Sequence, residues 1–157
     1  MAKVILLCGR ICSGKTTLAR KLRAESKAVL LSVDEVMLAI FGTDAGTRHD
    51  EYAARVRKLL YEKSVELVEA GADVILDWGF WRRSDRDWAR RFYGERNIPW
   101  EFRYLDPDRE VRERWIALRN EEVLRGDTDA YYVDEGLLNK MEAQFEEPGP
   151  DEPTRSE

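Results

Sequence analysis

Residues 9–16 form the stretch of this sequence that most restricts the fold. They read G-R-I-C-S-G-K-T and match the pattern G-x-x-x-x-G-K-[S/T] of a phosphate-binding loop. The apolar run Val4–Cys8 precedes the loop, and a helix is predicted from Lys15 to about Glu25. A glycine-rich turn between a strand and a helix points its backbone N–H groups at one place, where the helix dipole also favours an anion. The stretch therefore predicts a site for the phosphates of a nucleoside triphosphate.

The residue types of this loop suggest individual roles. Lys15 is expected to reach the β- and γ-phosphates, and the Thr16 hydroxyl is expected to occupy one ligand position of Mg²⁺. The residues of the loop predicted to contact the nucleotide are Gly9, Arg10, Cys12, Ser13, Gly14, Lys15, Thr16 and Thr17.

Composition limits the other classes of function. The 157 residues suffice for one domain, and a net charge of −5 argues against a protein whose main task is to bind nucleic acid. No apolar stretch is long enough for a membrane span and the N-terminus does not resemble a signal peptide, so we expect a cytoplasmic protein without a membrane partner. The two cysteines are predicted to be reduced thiols. The sequence leaves the oligomeric state open.

Four apolar runs alternate with helical patterns, as in a parallel sheet that is covered on both faces. The runs are Lys3–Cys8, Ala28–Val33, Asp73–Asp77 and Glu101–Leu105. In such a sheet a ligand lies at the carboxyl ends of the strands. Residues 1–148 are predicted to form one domain, and the acidic, Pro-rich tail 149–157 is predicted to be a loop or disordered.

Two aspartates follow predicted strands. Asp34 ends the second strand, where a carboxylate can accept the proton of an attacking hydroxyl; the alternative is that it only caps the next helix. Asp77 ends the third strand in an apolar-run-then-acid pattern, so it is expected to hold Mg²⁺ or to orient the substrate hydroxyl. The alternative for Asp77 is a helix cap or a loop aspartate.

The segment after Asp77 is rich in aromatic residues and arginine. We predict that at least one of its aromatic side chains lines an acceptor pocket and that one arginine binds an anionic group of the acceptor. The alternative is that its tryptophans pack under the following helix. The residues predicted to bind the acceptor are Asp34, Asp77, Trp78, Phe80, Trp81 and Arg82.

Arginines near the end of the fifth helix, Arg119 and Arg125, suggest a lid. A lid can bring a cation onto the transferring phosphate and exclude water, which prevents wasteful hydrolysis. Arg119 is the first candidate for this contact, and Arg125 is the second.

The chain resembles the small P-loop kinases of the polynucleotide kinase, chloramphenicol phosphotransferase and zeta toxin group. The residues that carry this resemblance are 9–16, Asp34, Asp77, Arg119 and Arg125. Proteins described only as AAA-type predicted kinases are similar too. The resemblance implies a three-layer α/β/α P-loop NTPase fold of the nucleoside-kinase type, with a helical lid and a parallel sheet of four to five strands in the order 2-3-1-4. It also implies ATP and Mg²⁺ as cofactors, with Asp34, Lys15 and Arg119 as catalytic residues.

Two departures from these kinases refine the prediction. The phage polynucleotide kinases carry an arginine shortly after the base, whereas residues 36–39 of this chain are apolar. This favours a small, less charged acceptor over a nucleic acid. The chain also becomes Pro-rich where relatives often continue to a further strand, so the sheet has an open edge or recruits the tail.

The predicted function is ATP-dependent transfer of the γ-phosphate to a hydroxyl of a small molecule. The alternatives are a 5′-hydroxyl polynucleotide kinase, a hydrolysing NTPase and a nucleotide-binding module without catalysis.

Overall fold

The computed structural model describes residues 1–157 as a five-stranded parallel sheet with helices on both faces. The strands are β1 (Val4–Cys8), β2 (Val29–Leu31), β3 (Val74–Gly79), β4 (Trp100–Tyr104) and β5 (Thr154–Ser156). The helices are α1 (Lys15–Ser26), α2 (Val33–Phe41), α3 (His49–Glu69), α4 (Arg83–Gly94), α5 (Arg109–Arg125) and α6 (Glu135–Gln144), with a short 3-10 turn at Gly46–Arg48. None of the helices combines the length and the apolar character needed to cross a membrane.

The strands lie in the order β2-β3-β1-β4-β5, and every neighbouring pair is parallel. This confirms the predicted α/β fold and the order 2-3-1-4 for the first four strands. The sheet recruits the tail as its fifth strand, so the edge beyond β4 is covered. Because β3 lies beside β1, the carboxyl end of β3 meets the loop that follows β1.

The central strand β1 is buried along its whole length. Since side chains alternate along a strand, Val4, Leu6 and Cys8 pack on the face that α3 and α4 cover. Ile5 and Leu7 pack on the opposite face, under α1. The continuous apolar run in the sequence is therefore the result of burial on both faces.

The C-terminal tail is ordered, and the prediction of a loop or disorder for residues 149–157 is wrong. Thr154–Ser156 pair with β4, and the Glu152 side chain is only 1% exposed. Its carboxylate accepts two hydrogen bonds from the fully buried Arg86 on α4, at 2.7 and 2.9 Å. The composition of the tail predicts charged side chains that are exposed to water. The Glu152 carboxylate is instead neutralised by Arg86, which lies 66 residues earlier in the chain.

Candidate active site

The loop between β1 and α1 has the backbone shape of an anion site. Cys12 and Gly14 have positive φ angles of 53° and 94°, which turn the chain sharply before α1. Gly14 is the N-cap of α1, and no side chain bonds to the first turn of that helix. The unpaired N–H groups of a helix N-terminus, together with its dipole, favour a phosphate at this position.

Lys15 is folded back over the loop. Its Nζ donates hydrogen bonds to the carbonyl oxygens of Gly9 and Arg10, at 2.9 and 2.6 Å, and to the Ser13 hydroxyl at 3.3 Å. All three acceptors are neutral, and burial lowers the pKa of Lys15 to about 8, against the attraction of Asp77. The ammonium group is thus a buried cation without a salt-bridge partner, which an anionic phosphate would supply.

Close packing fixes the start of the loop. A Cβ at Gly9 would lie 2.5 Å from the Ser13 Oγ and 2.8 Å from the Leu105 carbonyl oxygen, so only glycine fits. The Trp81 indole donates a hydrogen bond to the Gly9 carbonyl at 3.1 Å. Trp81 therefore supports the phosphate-binding loop.

The position of the Trp81 ring beside the loop also requires glycine at residue 79, at the end of β3. Gly79 has a φ of 85°, and a Cβ would lie 2.3 Å from the Trp81 Nε1. Replacing Gly79 with alanine is expected to lower the free energy of unfolding by about 2 kcal/mol or more, because strain and steric overlap add. It is also expected to weaken nucleotide binding, because Trp81 must move away from Gly9.

Chemical denaturation and ATP titration of Gly79→Ala check this prediction. Gly71→Ala is the matched control, because Gly71 has a φ of 89° and no atom lies within 4 Å of the place its Cβ would take. The control is expected to lose stability from strain alone and to bind ATP normally. Equal effects of the two variants on ATP binding would contradict the role given to Trp81.

Asp34 lies in the first turn of α2, and its carboxyl is free. The N-cap of α2 is Ser32, whose Oγ accepts a hydrogen bond from the Glu35 N–H at 3.2 Å, so Asp34 does not cap this helix. Asp34 is exposed as a whole residue, but the surrounding protein partly withdraws its carboxyl from water and so raises its pKa. Four basic side chains oppose this shift: Arg119, Lys15, His49 and Arg57.

Asp77 lies within β3, two residues before its end, and is neither a helix cap nor a loop residue. Burial raises the pKa of its carboxyl to about 6, and the nearby Asp34 carboxylate contributes in the same direction. Ser32 and Lys15 act on this pKa in the opposite direction. The structure thus brings two carboxylates and the loop lysine together at the carboxyl ends of the strands, as the sequence predicts.

Replacing Asp77 with asparagine is expected to stabilise the nucleotide-free protein. The folded-state pKa of about 6 exceeds the ordinary value of 3.8, so the folded protein binds more protons between these values and loses stability as the pH rises through them. The asparagine side chain carries no charge that must be buried at neutral pH. We therefore expect Asp77→Asn to raise the free energy of unfolding by about 1–2 kcal/mol at pH 7.

Urea denaturation at two pH values measures this effect. The free energy of unfolding is expected to differ between wild type and Asp77→Asn at about pH 7, and this difference should shrink below about pH 4. Asp73→Asn is the control at the start of the same strand, because the Asp73 carboxylate accepts a hydrogen bond from the Lys3 N–H at 2.9 Å and should lose stability. A less stable Asp77→Asn protein at neutral pH would contradict the burial argument.

The aromatic residues that follow Asp77 pack against the core to different degrees. Phe80 is 1% exposed and packs in the core, so its predicted contact with the acceptor is wrong. Trp78 is half-buried where β3 meets α2 and α3, edge-on to Tyr61 at 5.1 Å between ring centroids. Arg82 is exposed at the N-cap of α4, and its side chain makes no capping hydrogen bond.

The two arginines predicted for the lid have different surroundings. Arg119 on α5 is half-buried and close enough to Cys12 and Asp34 to oppose the rise that burial causes in the pKa of both. Arg125 forms an exposed salt bridge with Asp127 at 3.0 Å, at the end of α5. The structure therefore brings Arg119 to the site, and Arg125 lies outside it.

Arg10 ties the phosphate-binding loop to the C-terminal region. It forms salt bridges of 3.0–3.2 Å with Asp106, Glu142 and Glu147, and its guanidinium lies 4.3 Å from the centroid of the Phe145 ring. An open, polar cleft of about 550 Å³ lies beside this cluster, between α5 and α6. The cluster occupies the opposite side of the loop from Asp34 and Asp77, because β4 and β3 flank β1 on its two sides.

A family model described as an AAA domain matches residues 4–148. The chain is similar to an unliganded sugar kinase from Janibacter sp. HTCC2649, with 21% identity, 99% of this chain and 84% of that chain covered, and a TM-score of 0.65. It is similar to the APS kinase of Mycobacterium tuberculosis in complex with AMPPNP and APS, with 16% identity, coverages of 99% and 88%, and a TM-score of 0.65. A chain of the Pnkp1/Rnl/Hen1 RNA repair complex is 25% identical, with coverages of 91% and 43% and a TM-score of 0.70.

No curated protein matches the chain. The two small-molecule kinases are too distant in sequence to show more than the fold, and that fold is the parallel α/β arrangement predicted from the alternation of strands and helices. The predicted resemblance to small P-loop kinases is confirmed. Because the family model spans nearly the whole chain, this chain belongs to the AAA domain family.

Proposed function

We propose that this protein is an ATP-dependent phosphotransferase that moves the γ-phosphate to a hydroxyl group of a small molecule. The position of Asp34 carries the proposal. Its carboxyl does not cap α2, and it lies within electrostatic reach of Lys15 in the phosphate-binding loop. A hydrolysing switch protein does not require a free carboxylate at this point, whereas a kinase needs a base for its acceptor.

The proposed reaction assigns a role to each of these residues. Lys15 and the first-turn N–H groups of α1 hold the phosphates, and Asp34 accepts the proton of the acceptor hydroxyl. The hydroxyl oxygen then bonds to the γ-phosphorus while the bond from that phosphorus to the β–γ bridging oxygen breaks, and ADP leaves. Arg119 stabilises the charge on the transferring group. The helices α5 and α6 restrict the access of water.

Magnesium fits the donor atoms present at this site. Thr16 offers a hydroxyl at the start of α1, and Asp77 offers a carboxylate beside Lys15. No group of three or more His, Cys, Asp or Glu side chains is arranged to hold a metal ion. This suits Mg²⁺, which typically binds through one or two protein groups together with nucleotide phosphates and neutralises the phosphate charge.

The nucleoside of ATP is proposed to lie on the β4 side of the loop, and the acceptor on the β3 side. The cleft between α5 and α6 supports the first assignment, because its volume of about 550 Å³ lies in the range of small-molecule sites. Asp34 and Asp77 support the second, because their carboxylates lie at the β2 and β3 side of the sheet. The two substrates would then meet at Lys15.

Acceptor-dependent release of ADP tests the proposed function. Purified protein with ATP and Mg²⁺ is screened against hydroxylated metabolites, sugars, antibiotics and a 5′-hydroxyl oligonucleotide, with a sample without acceptor as the reference. We expect a small molecule to increase ADP release above the reference rate. Stimulation by the oligonucleotide alone would favour a polynucleotide kinase, which the similarity to the RNA repair complex keeps as the second candidate. Equal ADP release in every sample would favour a hydrolysing NTPase.

A further inference from the structure

Arg57 is a cation beside Asp34 that the proposed reaction does not use. It lies on α3, is half-buried, and takes part in none of the salt bridges of the protein. Its Nε is buried and has no hydrogen-bond partner. Leaving a buried N–H group unpaired costs about 1–3 kcal/mol, and more for a charged group, so such an arginine indicates a missing anionic partner.

A second unpaired donor lies at the same junction. The Trp78 Nε1 is buried and also lacks a hydrogen-bond partner of good geometry. Trp78 packs edge-on against Tyr61, and Tyr61 follows Arg57 by four residues on the same face of α3. The junction of α3 and β3 therefore holds two buried N–H donors, and no protein acceptor forms a well-aligned hydrogen bond with either of them.

The groups around Asp34 on this side are basic or polar. His49, at the start of α3, contacts Tyr131 edge-on at 5.7 Å between ring centroids. Arg57 and His49 are both close enough to Asp34 to oppose the rise that burial causes in its pKa. Burial raises the pKa of Tyr131, and the Asp34 carboxylate contributes in the same direction. Any acceptor whose hydroxyl reaches Asp34 would thus lie near the Arg57 guanidinium and the His49 ring of α3.

We propose that the acceptor carries an oxyanion, either a carboxylate or a phosphate, which Arg57 binds while the acceptor hydroxyl lies at Asp34. This proposal rests on the proposed function and narrows its substrate class to small hydroxylated anions. An arginine fork binds both kinds of oxyanion through two parallel hydrogen bonds. The apolar residues 36–39 after Asp34 suggested a less charged acceptor, but the fold supplies the cation from α3 instead of α2.

Binding of matched acceptor pairs tests this inference. The probes are D-gluconate with D-sorbitol, D-glycerate with glycerol, and a nucleoside monophosphate with its nucleoside. Each dissociation constant is measured by calorimetry with AMPPNP present, so that binding is observed without chemistry. We expect the anionic member of at least one pair to bind about tenfold or more tightly than its neutral partner. The pair that shows this preference distinguishes a carboxylate from a phosphate.

Three variants identify the residue responsible. Arg57→Gln is expected to abolish the preference for the anion and to leave the dissociation constant of AMPPNP unchanged. Arg57→Lys is expected to restore only part of the preference, because it keeps the charge and loses the fork. Arg55→Gln is the matched control on the same helix, where the Arg55 side chain is 71% exposed, and it should behave like wild type.

Two results would overturn the inference: no anionic probe binds better than its neutral partner, or Arg57→Gln and Arg55→Gln behave alike. Failure of the proposed function would look different. In that case an anionic probe would bind through Arg57, but no phosphate would be transferred to it when ATP replaces AMPPNP.

Discussion

Replacing Asp34 with asparagine is expected to reduce phosphoryl transfer by about two to four orders of magnitude, the usual contribution of a positioned general base. The amide keeps the size of the side chain but cannot accept the hydroxyl proton. The dissociation constant of ATP should stay nearly unchanged, because Lys15 and the first turn of α1 hold the phosphates. Single-turnover kinetics at saturating ATP, together with an ATP titration, measure the two quantities separately.

Glu35→Gln is the matched control for this variant. Glu35 lies next to Asp34 in the first turn of α2, is exposed, and carries the same charge. A general effect of charge on the cleft would change both variants to a similar extent, whereas loss of the base affects Asp34→Asn alone. Full turnover by Asp34→Asn would show that Asp34 is not the base.

Replacing Glu152 with glutamine is expected to destabilise the fold by about 3–5 kcal/mol, because it leaves a buried guanidinium without a counter-charge. Arg86 is fully buried, and its side chain donates two hydrogen bonds to the Glu152 carboxylate. Its third nitrogen donates to the Phe80 carbonyl at 2.9 Å. The pair therefore connects the C-terminal tail to the segment that follows β3.

Chemical denaturation measures this loss, and Asp151→Asn is the control. Asp151 pairs with Arg83 on the surface, where its side chain is 61% exposed, so its removal should change stability little. The double variant Arg86→Met with Glu152→Leu is expected to recover much of the loss, since it removes both buried charges of the pair and leaves Arg90 its salt bridge with Asp87. If Glu152→Gln were as stable as Asp151→Asn, the tail would not be anchored by this pair.

The buried pair of Arg86 and Glu152 also makes the stability of the fold depend on pH. Hydrogen bonds from Arg86 lower the pKa of Glu152 to about 2 from the ordinary value of 4.5. The stabilisation is therefore complete above about pH 4.5 and is lost as the pH falls toward 2. Glu152→Gln should lack this part of the acid transition.

The sequence was sufficient to predict the features that depend on contiguous residues. The phosphate-binding loop follows from a local motif, and the first four strands follow from apolar runs between helical patterns. The order of these strands follows from the resemblance to small P-loop kinases. Asp34 and Asp77 were found for the same reason, since the carboxyl ends of parallel strands share one edge of the sheet. The distinction between a base and a helix cap at Asp34 required the structure, where Ser32 is the cap.

The features that depend on distant contacts were missed. Phe80 lies in an aromatic segment at the carboxyl end of β3, but its side chain packs in the core, and both Gly79 and Phe80 have positive φ angles. Arg57 was not predicted, because it is one of many charged residues on a long helix and only its lack of a partner sets it apart. A basic residue on a long helix without an acidic neighbour at i±3 or i±4 is the signal that could have suggested it.

The fate of the γ-phosphate tests the central claim most directly. The protein is incubated with γ-labelled ATP, Mg²⁺ and the acceptor that stimulates ADP release, and the labelled products are separated for wild type and Asp34→Asn. We expect wild type to transfer the label to a hydroxyl of the small molecule and Asp34→Asn to do so at least about a hundredfold more slowly. Recovery of the label only as inorganic phosphate, at equal rates in both proteins, would contradict the central claim.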